Sequence, residues 1–439
     1  MAGADSPSSG RWSSWTRCFR ERPVRSLALF YASWKCLVAL VVLGCPAPGY
    51  DTSTTLLAGS HAVPAISKFI RWDSIYFLQA AQRGYVFEQE WAFSYTYSSL
   101  LRWLASAVTT ARHFAELAVT GVAVSHVSHA LSVFLLWMLS GAVLGSETAS
   151  QRTWCLISAA LHVMSPAGAF LSAPYSESVF ACVHFLGLYL YSIALRADHA
   201  GYLVRRDACW VAAGIAFAVA TLIRSNGILS GCLFAYDAME AGMEWLSRGL
   251  SVGLLRRMLF IGLGGGIIAV AMVGAQFVGY LSYCTATDPP RPWCRQLVPS
   301  IYNWVQSHYW NVGFLRYWTL SNLPLFLLAA PMLGLLAASS LFAFQHRLGM
   351  KPPDPVRRAL LTRIAIPQAL LAFLALTTYH VQTINRISSG YPLWYWYVAS
   401  LGIESLASRS RRIFPRVVQS MALYGLVQAA LFGSFLPPA

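Results

Sequence analysis

Carboxylates are scarce in this chain, with 17 Asp plus Glu in 439 residues. Three of them share one aromatic stretch. Asp73 sits in Phe69-Ile70-Arg71-Trp72-Asp73-Ser74-Ile75-Tyr76-Phe77, and Glu88 and Glu90 follow in Gly84-Tyr85-Val86-Phe87-Glu88-Gln89-Glu90-Trp91-Ala92-Phe93. A carboxylate facing a lipid-borne substrate could take a proton from an attacking hydroxyl. Phe77, Ala80, Ala81 and Gly84 recur on the face of Asp73, so the spacing predicts a short helix over 73–83. Asp73 then lies in the first turn, where free amides and the helix dipole favour its ionised form. A capping Asp explains the same placement, so position alone leaves both readings open. Arg71, Trp72, Glu88 and Glu90 are candidate substrate contacts beside it.

Four further segments combine polar and aromatic residues at the ends of apolar runs. Ser165-Pro166 through Tyr175-Ser176-Glu177 makes a tight turn, and Glu177 starts the next helix as a cap or as part of a polar site. Arg224-Ser225-Asn226-Gly227 interrupts two spans. Arg224 and Asn226 suit a phosphate or sugar hydroxyls, unless the Arg merely snorkels. Gln306-Ser307-His308-Tyr309-Trp310-Asn311 interleaves rings with amides, a pattern suited to carbohydrate. An interfacial aromatic belt supplies the rings but not Gln306, His308 and Asn311 together. Finally, His380, Gln382 and Arg386 follow another span, where they could hold an anionic headgroup or form a solvated turn.

The elements that must position these residues are membrane helices. Hydrophobic residues make up 56% of the chain and charged residues 11%. Soluble domains carry about 25% charged residues, and mean hydropathy here is +0.51. The expected class is an all-α polytopic membrane protein. Spans are predicted at 26–45, 116–144, 152–172, 176–197, 207–223, 228–241, 258–281, 322–345, 358–379, 392–406 and 416–435, eleven crossings in all. Short interfacial helices are expected at 73–83 and 95–111.

A cytosolic N-terminal tail over 1–25 puts Arg17, Arg20, Arg22, Arg25, Arg152, Arg196, Arg205 and Arg206 on one side. Arg248, Arg256, Arg257, Arg347, Lys351, Arg357, Arg358, Arg409, Arg411, Arg412 and Arg416 join them. The positive-inside rule therefore accounts for the net charge of +15 without nucleic acid. Residues 26–435 then form one transmembrane catalytic domain, with far-side loops at 46–115 and 282–321. All five polar segments fall on that far side. The first apolar run lacks a well-placed small-x-small cleavage site, so a cleavable signal peptide is not expected.

Cys36, Cys155, Cys182, Cys209 and Cys232 fall within spans as packing residues. Cys284 and Cys294 bracket a Pro-rich far-side turn, where an oxidising compartment favours a disulfide over two free thiols. No spacing suggests a metal site, and no cofactor is expected. There is no repeat of the kind expected in a transporter and no Asn-x-Ser/Thr sequon.

From about Arg71 to Tyr397 the chain resembles the PIG-V family of GPI α-1,6-mannosyltransferases. The resemblance rests on Trp72-Asp73, Tyr85-Val86-Phe87-Glu88, Ala92-Phe93, Ser165-Pro166, Tyr175-Ser176-Glu177 and Arg224-Ser225-Asn226-Gly227. It continues through Gln306-Ser307-His308-Tyr309-Trp310-Asn311-Val312-Gly313-Phe314, which is highly specific, then Leu327-Leu328-Ala329-Ala330-Pro331 and His380-Val381-Gln382. Animal-type members place Phe-Pro-x-x-Pro after the Ala-Phe. Here the text is Phe93-Ser94-Tyr95-Thr96-Tyr97-Ser98, a departure that bears on the second interfacial helix and not on the assignment.

The resemblance implies a GT-C fold in the endoplasmic reticulum membrane, with the site facing the lumen. It implies dolichyl phosphate mannose as lipid donor, a monomannosylated GPI precursor as acceptor, and transfer with inversion to a 6-hydroxyl. It marks Asp73 as base, with Glu88 and Glu90 as next candidates, and Arg224, His380 and Arg386 as groups for the leaving phosphate. It also suggests a small membrane partner subunit. Other readings are a sibling enzyme with another acceptor, a lipid or sugar transporter or scramblase, and a non-catalytic assembly subunit.

Overall fold

The computed structural model describes residues 21–46, 49–58, 64–108, 113–285, 289–346, 354–403 and 410–437. Arg17, Arg20, Arg347, Lys351 and Arg409 of the charge argument lie outside them. The described residues are helices and connecting turns, with no strand among them. The principal helices are α1 (Pro23–Gly44), α2 (Asp73–Arg83), α3 (Tyr95–Val108), α4 (Phe114–Leu144), α5 (Ala149–Val163), α6 (Glu177–His199) and α7 (Leu203–Ile223). They continue with α8 (Gly231–Arg248), α9 (Val252–Tyr280), α10 (Ile301–Tyr309), α11 (Leu323–Phe344), α12 (Pro355–Thr377), α13 (Leu393–Ile403) and α14 (Ser410–Gly433).

Each of the eleven expected spans is present as a helix. Seven helical stretches among the described residues are long and apolar enough to cross a membrane. Helix α5, with 15 residues, and α13, with 11, are shorter than such a crossing requires. The largest boundary difference is at the helix predicted to 172, which stops at Val163. Pro166 has no N–H to donate and disfavours helical backbone at Ser165. The chain instead makes a buried 3₁₀ turn, Gly168–Leu171. Buried polar groups from three other helices hold this segment. Lys35 Nζ donates to Leu171 O at 2.7 Å, Gln428 Oε1 accepts from Ala169 N at 2.8 Å, and Ser125 Oγ donates to Ala173 O at 2.5 Å. Backbone without its own ladder is thereby satisfied inside the bundle, as a membrane demands.

Helix ends follow local chemistry. Thr148 and Gln151 form a reciprocal capping box at α5, and Asp354 caps α12 ahead of Pro355. Small residues set the spacing of the long helices. A Cβ on Gly214 of α7 would stand 2.7 Å from Gly264 Cα of α9, so the two backbones touch where side chains would hold them apart.

The helices α6, α7, α9 and α12 carry charge at one end and the polar segments at the other. At the charged end, Arg206 pairs with Asp198 and Asp207, each at 2.8 Å, and Arg256 pairs with Asp207 at 2.6 Å. Arg363 pairs with buried Asp237 at 2.7 Å and also with Glu240, while Tyr191 donates to Asp237 at 2.6 Å. Asp237→Ala leaves buried Arg363 with partly exposed Glu240 as its one carboxylate partner, a loss of about 3 kcal/mol for such pairs. The expected result is a lower thermal unfolding midpoint in detergent, with transfer per folded molecule unchanged.

Candidate active site

Asp73 opens α2 after an unusual backbone turn. Trp72 has φ 55°, a left-handed value that costs a side-chain-bearing residue energy and persists only where surroundings enforce it. Here the C-terminal segment enforces it. The Trp72 ring meets Phe435 edge to face at 5.3 Å, and Arg71 lies over the same ring at 4.7 Å. Arg71 also donates to Ser67 O at 2.7 Å and Thr54 Oγ1 at 3.3 Å. Buried Arg71 is therefore a clamp on the loop that aims Asp73, and neither it nor Trp72 lines the cavity that Asp73 faces. No side-chain capping bond forms at the start of α2; the Asp73 carboxylate is turned to an ion pair instead.

The cavity encloses about 500 Å³. Asp73, Arg224, Asn226, Gln306, Trp310, His380 and Arg386 all line it, although they come from four separate chain segments. Asp73 pairs with Arg386 at 2.8 Å. The other side of Arg386 meets Glu177 at 3.4 Å, and Glu177 in turn pairs with Arg224 at 2.7 Å. The result is a line of alternating charge, Asp73–Arg386–Glu177–Arg224. Burial works against the charge on Arg386, but Asp73 and Glu177 outweigh it and hold the guanidinium above its ordinary value. Tyr175 and Phe170 add ring faces at 5.7 and 5.0 Å from that cation. Glu177, with 1% of its side chain exposed, sits behind the arginines and not on the cavity wall. Arg224 further donates to Ser176 Oγ at 3.1 Å, and Asn226 Nδ2 donates to Tyr391 OH at 3.2 Å.

Glu88 and Glu90 belong to a different structure. Glu88 is buried and accepts from Trp293 Nε1 at 2.7 Å, Trp304 Nε1 at 3.1 Å and Tyr309 OH at 3.1 Å. Glu90 pairs with Arg83 and accepts from the amides of Val86 at 2.9 Å and Phe87 at 3.0 Å. Burial opposes ionisation of Glu90, but Arg83 and the two amides outweigh it and hold its carboxyl below the ordinary range. Neither acid lines the cavity, and both oxygens of Glu88 are already occupied, so neither is placed to act as a base. Their work is to fold a cap. The 3₁₀ turn Glu88–Ala92 is bound through Glu88 to α10 and to the turn around Trp293. Cys284 and Cys294 close that turn with a disulfide, their Cα atoms 5.6 Å apart.

Within the cap, His308 stacks on Trp304 at 4.5 Å and Tyr309 serves Glu88. Asn311 turns the chain at φ 52°, which Asn tolerates better than most residues. These three, and Gln382 in the turn beside His380, do not reach the cavity wall. Gln306 and Trp310, four residues apart, line the cavity, while His308 between them stacks on Trp304 instead. Glu88→Ala removes the acceptor for buried Trp293 and for the more exposed Trp304 and Tyr309, and a buried charge-assisted bond is worth about 1.5–3 kcal/mol. Its expected outcome is a lower unfolding midpoint and a roughly tenfold loss of transfer, with Glu88→Gln in between. Calorimetry and radiolabelled transfer on one preparation check it.

The geometry can be set beside known proteins. The sequence profile of the PIG-V mannosyltransferase family matches residues 47–439. The chain belongs to this family. It is 47% identical to GPI mannosyltransferase 2 of Aspergillus oryzae over 95% of this chain and 96% of that one. The Aspergillus fumigatus protein of the same name is 45% identical over 95% and 94%, and the Schizosaccharomyces pombe one 33% identical over 84% and 73%. The fold resembles the oligosaccharyltransferase of Archaeoglobus fulgidus, solved tethered to an acceptor peptide. That match has a TM-score of 0.51 at 13% identity and covers 95% of this chain but only 56% of the archaeal one. This PIG-V-type chain is thus a membrane glycosyltransferase of GT-C fold and a GPI mannosyltransferase.

The mannosyltransferase cavity also holds residues that sequence reading missed. Tyr76, Phe93, Tyr302, Tyr379 and Gln276 line it. Tyr76 stacks on Phe93 at 4.5 Å, making a flat aromatic wall beside Asp73. Gln276 Oε1 accepts from Ser300 Oγ at 2.9 Å and Tyr302 N at 3.1 Å, tying α9 to the cap. A lone Gln within the apolar run of α9 was the available signal.

Proposed function

We propose that this mannosyltransferase moves the second mannose of the GPI anchor from dolichyl phosphate mannose to a monomannosylated precursor, forming an α-1,6 link. The observation that carries this reading is the joint placement of Asp73, Arg386 and Arg224 on one cavity. A single displacement needs a base on one side of the anomeric carbon and charge stabilisation on the other. Asp73 takes the proton from the acceptor 6-hydroxyl as its oxygen bonds to the anomeric carbon. The bond from that carbon to the phosphate oxygen breaks, and its electron pair leaves with dolichyl phosphate. Configuration inverts. Arg224 and Arg386 receive the phosphate, for which a planar guanidinium is suited.

The archaeal oligosaccharyltransferase has been solved with a dolichol-phosphate; the lipid-phosphate class is carried to this chain on the strength of its own two arginines. The aromatic wall of Tyr76 and Phe93, with Trp310 against Phe93 at 5.7 Å, supplies stacking faces for sugar rings, and Gln306 supplies an amide. The charged end of the bundle faces the cytosol under the positive-inside rule, which turns the cavity to the lumen of the endoplasmic reticulum. A small membrane partner subunit completes the reading in cells. Depletion of the protein should leave a monomannosylated GPI precursor as the accumulating lipid. Accumulation of an unmannosylated or dimannosylated precursor would contradict the assigned step.

A further inference from the structure

The charges around the cavity cancel. Arg224 and Arg386 contribute two positive charges, and Asp73 and Glu177 two negative ones. An anion entering this cluster gains little from arginines already paired, so one carboxylate must give way. The two acids are not equivalent. Glu177 has 1% of its side chain exposed, begins α6 and touches both arginines. Removing it would leave Arg224 without a carboxylate and Arg386 with Asp73 alone. Asp73 has 31% of its side chain exposed, lines the cavity and is held by one guanidinium alone.

We infer that the donor's phosphate displaces Asp73 from Arg386, so that the catalytic carboxylate is set free to act as a base only when the anionic donor is bound. Glu177 is the positioning residue that makes this exchange one-for-one. It keeps both guanidiniums aimed at the cavity and leaves room for a single exchangeable anion. The chemistry is plain competition. A carboxylate locked to a guanidinium at 2.8 Å is a poor proton acceptor. When a phosphate oxygen takes its place on Arg386, the same carboxylate regains its lone pairs beside the acceptor hydroxyl. The acceptor is therefore not deprotonated in a site that holds no donor. This inference rests on the reading of Asp73 as base and adds a state of the site before the donor arrives.

Competition predicts a gain of affinity on losing the competitor. If Asp73 occupies Arg386 in nine molecules of ten, the apparent affinity for phosphate is reduced about tenfold. The probe is a synthetic polyprenyl monophosphate without sugar, titrated calorimetrically into the purified full chain in detergent. Asp73→Asn should bind it about tenfold tighter than wild type. A general loss of negative charge would also tighten binding, so the same substitution is made on Arg386→Gln. The gain should fall to less than about twofold there, because Arg386 is the group competed for. Where Arg386→Gln does not fold, Arg386→Met gives the same comparison with an apolar side chain of similar length. Equal or weaker binding by Asp73→Asn overturns the exchange, as does a gain that persists without Arg386. The base reading fails separately: tighter binding with transfer intact in Asp73→Asn keeps the exchange and removes the base. Lost transfer without tighter binding does the reverse.

Discussion

Asp73→Asn should abolish mannose transfer while the protein stays folded and in the membrane. The substitution keeps the shape and polarity of the side chain and removes its negative charge, and with it the ability to take a proton. General-base catalysis contributes about 10²–10⁴-fold, so the residual rate should fall by that factor. The fold should survive because Asp73 is partly exposed and Arg386 keeps Glu177 as a carboxylate partner when Asp73 is neutralised. Arg71, Trp72 and the α2 helix do not depend on it. This contrasts with Glu88→Ala, which should lower stability and activity together. Measuring the unfolding midpoint and the single-turnover transfer rate on one preparation separates the two acids. An Asp73→Asn protein with near wild-type transfer would remove the base from its assigned place.

The second large effect is expected at Arg386. Arg386→Gln takes away the cation that faces both Asp73 and Glu177, and with it half of the phosphate site. Removing one group that stabilises developing charge costs about 10²–10³ in turnover. Transfer should therefore fall at saturating donor, and donor affinity should fall as well. Arg386→Lys should recover only part of the loss, because an ammonium is a point charge without the planar fork. Arg224→Gln should show the same pattern more weakly in catalysis, since Arg224 does not contact Asp73. Single-turnover rates at saturating donor distinguish lost binding from lost chemistry. A variant lacking Arg386 with full turnover would show that the leaving phosphate is stabilised elsewhere.

Much of this site was legible in the sequence, for one reason. A membrane chain keeps polar residues out of its spans unless they are used, so the five polar segments stand out against apolar text. Helix α2 and the disulfide between Cys284 and Cys294 stand where spacing put them. The partners of Glu88 were not legible, for a physical reason. A scarce acid near an aromatic face reads as a candidate base, but its donors Trp293, Trp304 and Tyr309 lie more than 200 residues away in the chain. Sequence could not join them. The contact of Arg71 with Phe435 was hidden for the same reason, since Phe435 is at the far end of the chain. Periodicity separated helix from turn, but not the inward face of α10 from its outward face. There, alternate rings serve the cavity and the cap.

The central claim is that Asp73 serves as the base for transfer from dolichyl phosphate mannose to a monomannosylated GPI precursor. The most direct measurement is reconstitution of the purified protein, with its membrane partner where one co-purifies, in vesicles containing both lipids, followed by mass and linkage analysis of the product. The predicted result is a dimannosylated precursor with a new α-1,6 bond from wild-type protein and none above background from Asp73→Asn. The account is contradicted by substantial dimannosylated product from Asp73→Asn, or by a wild-type product carrying a different linkage.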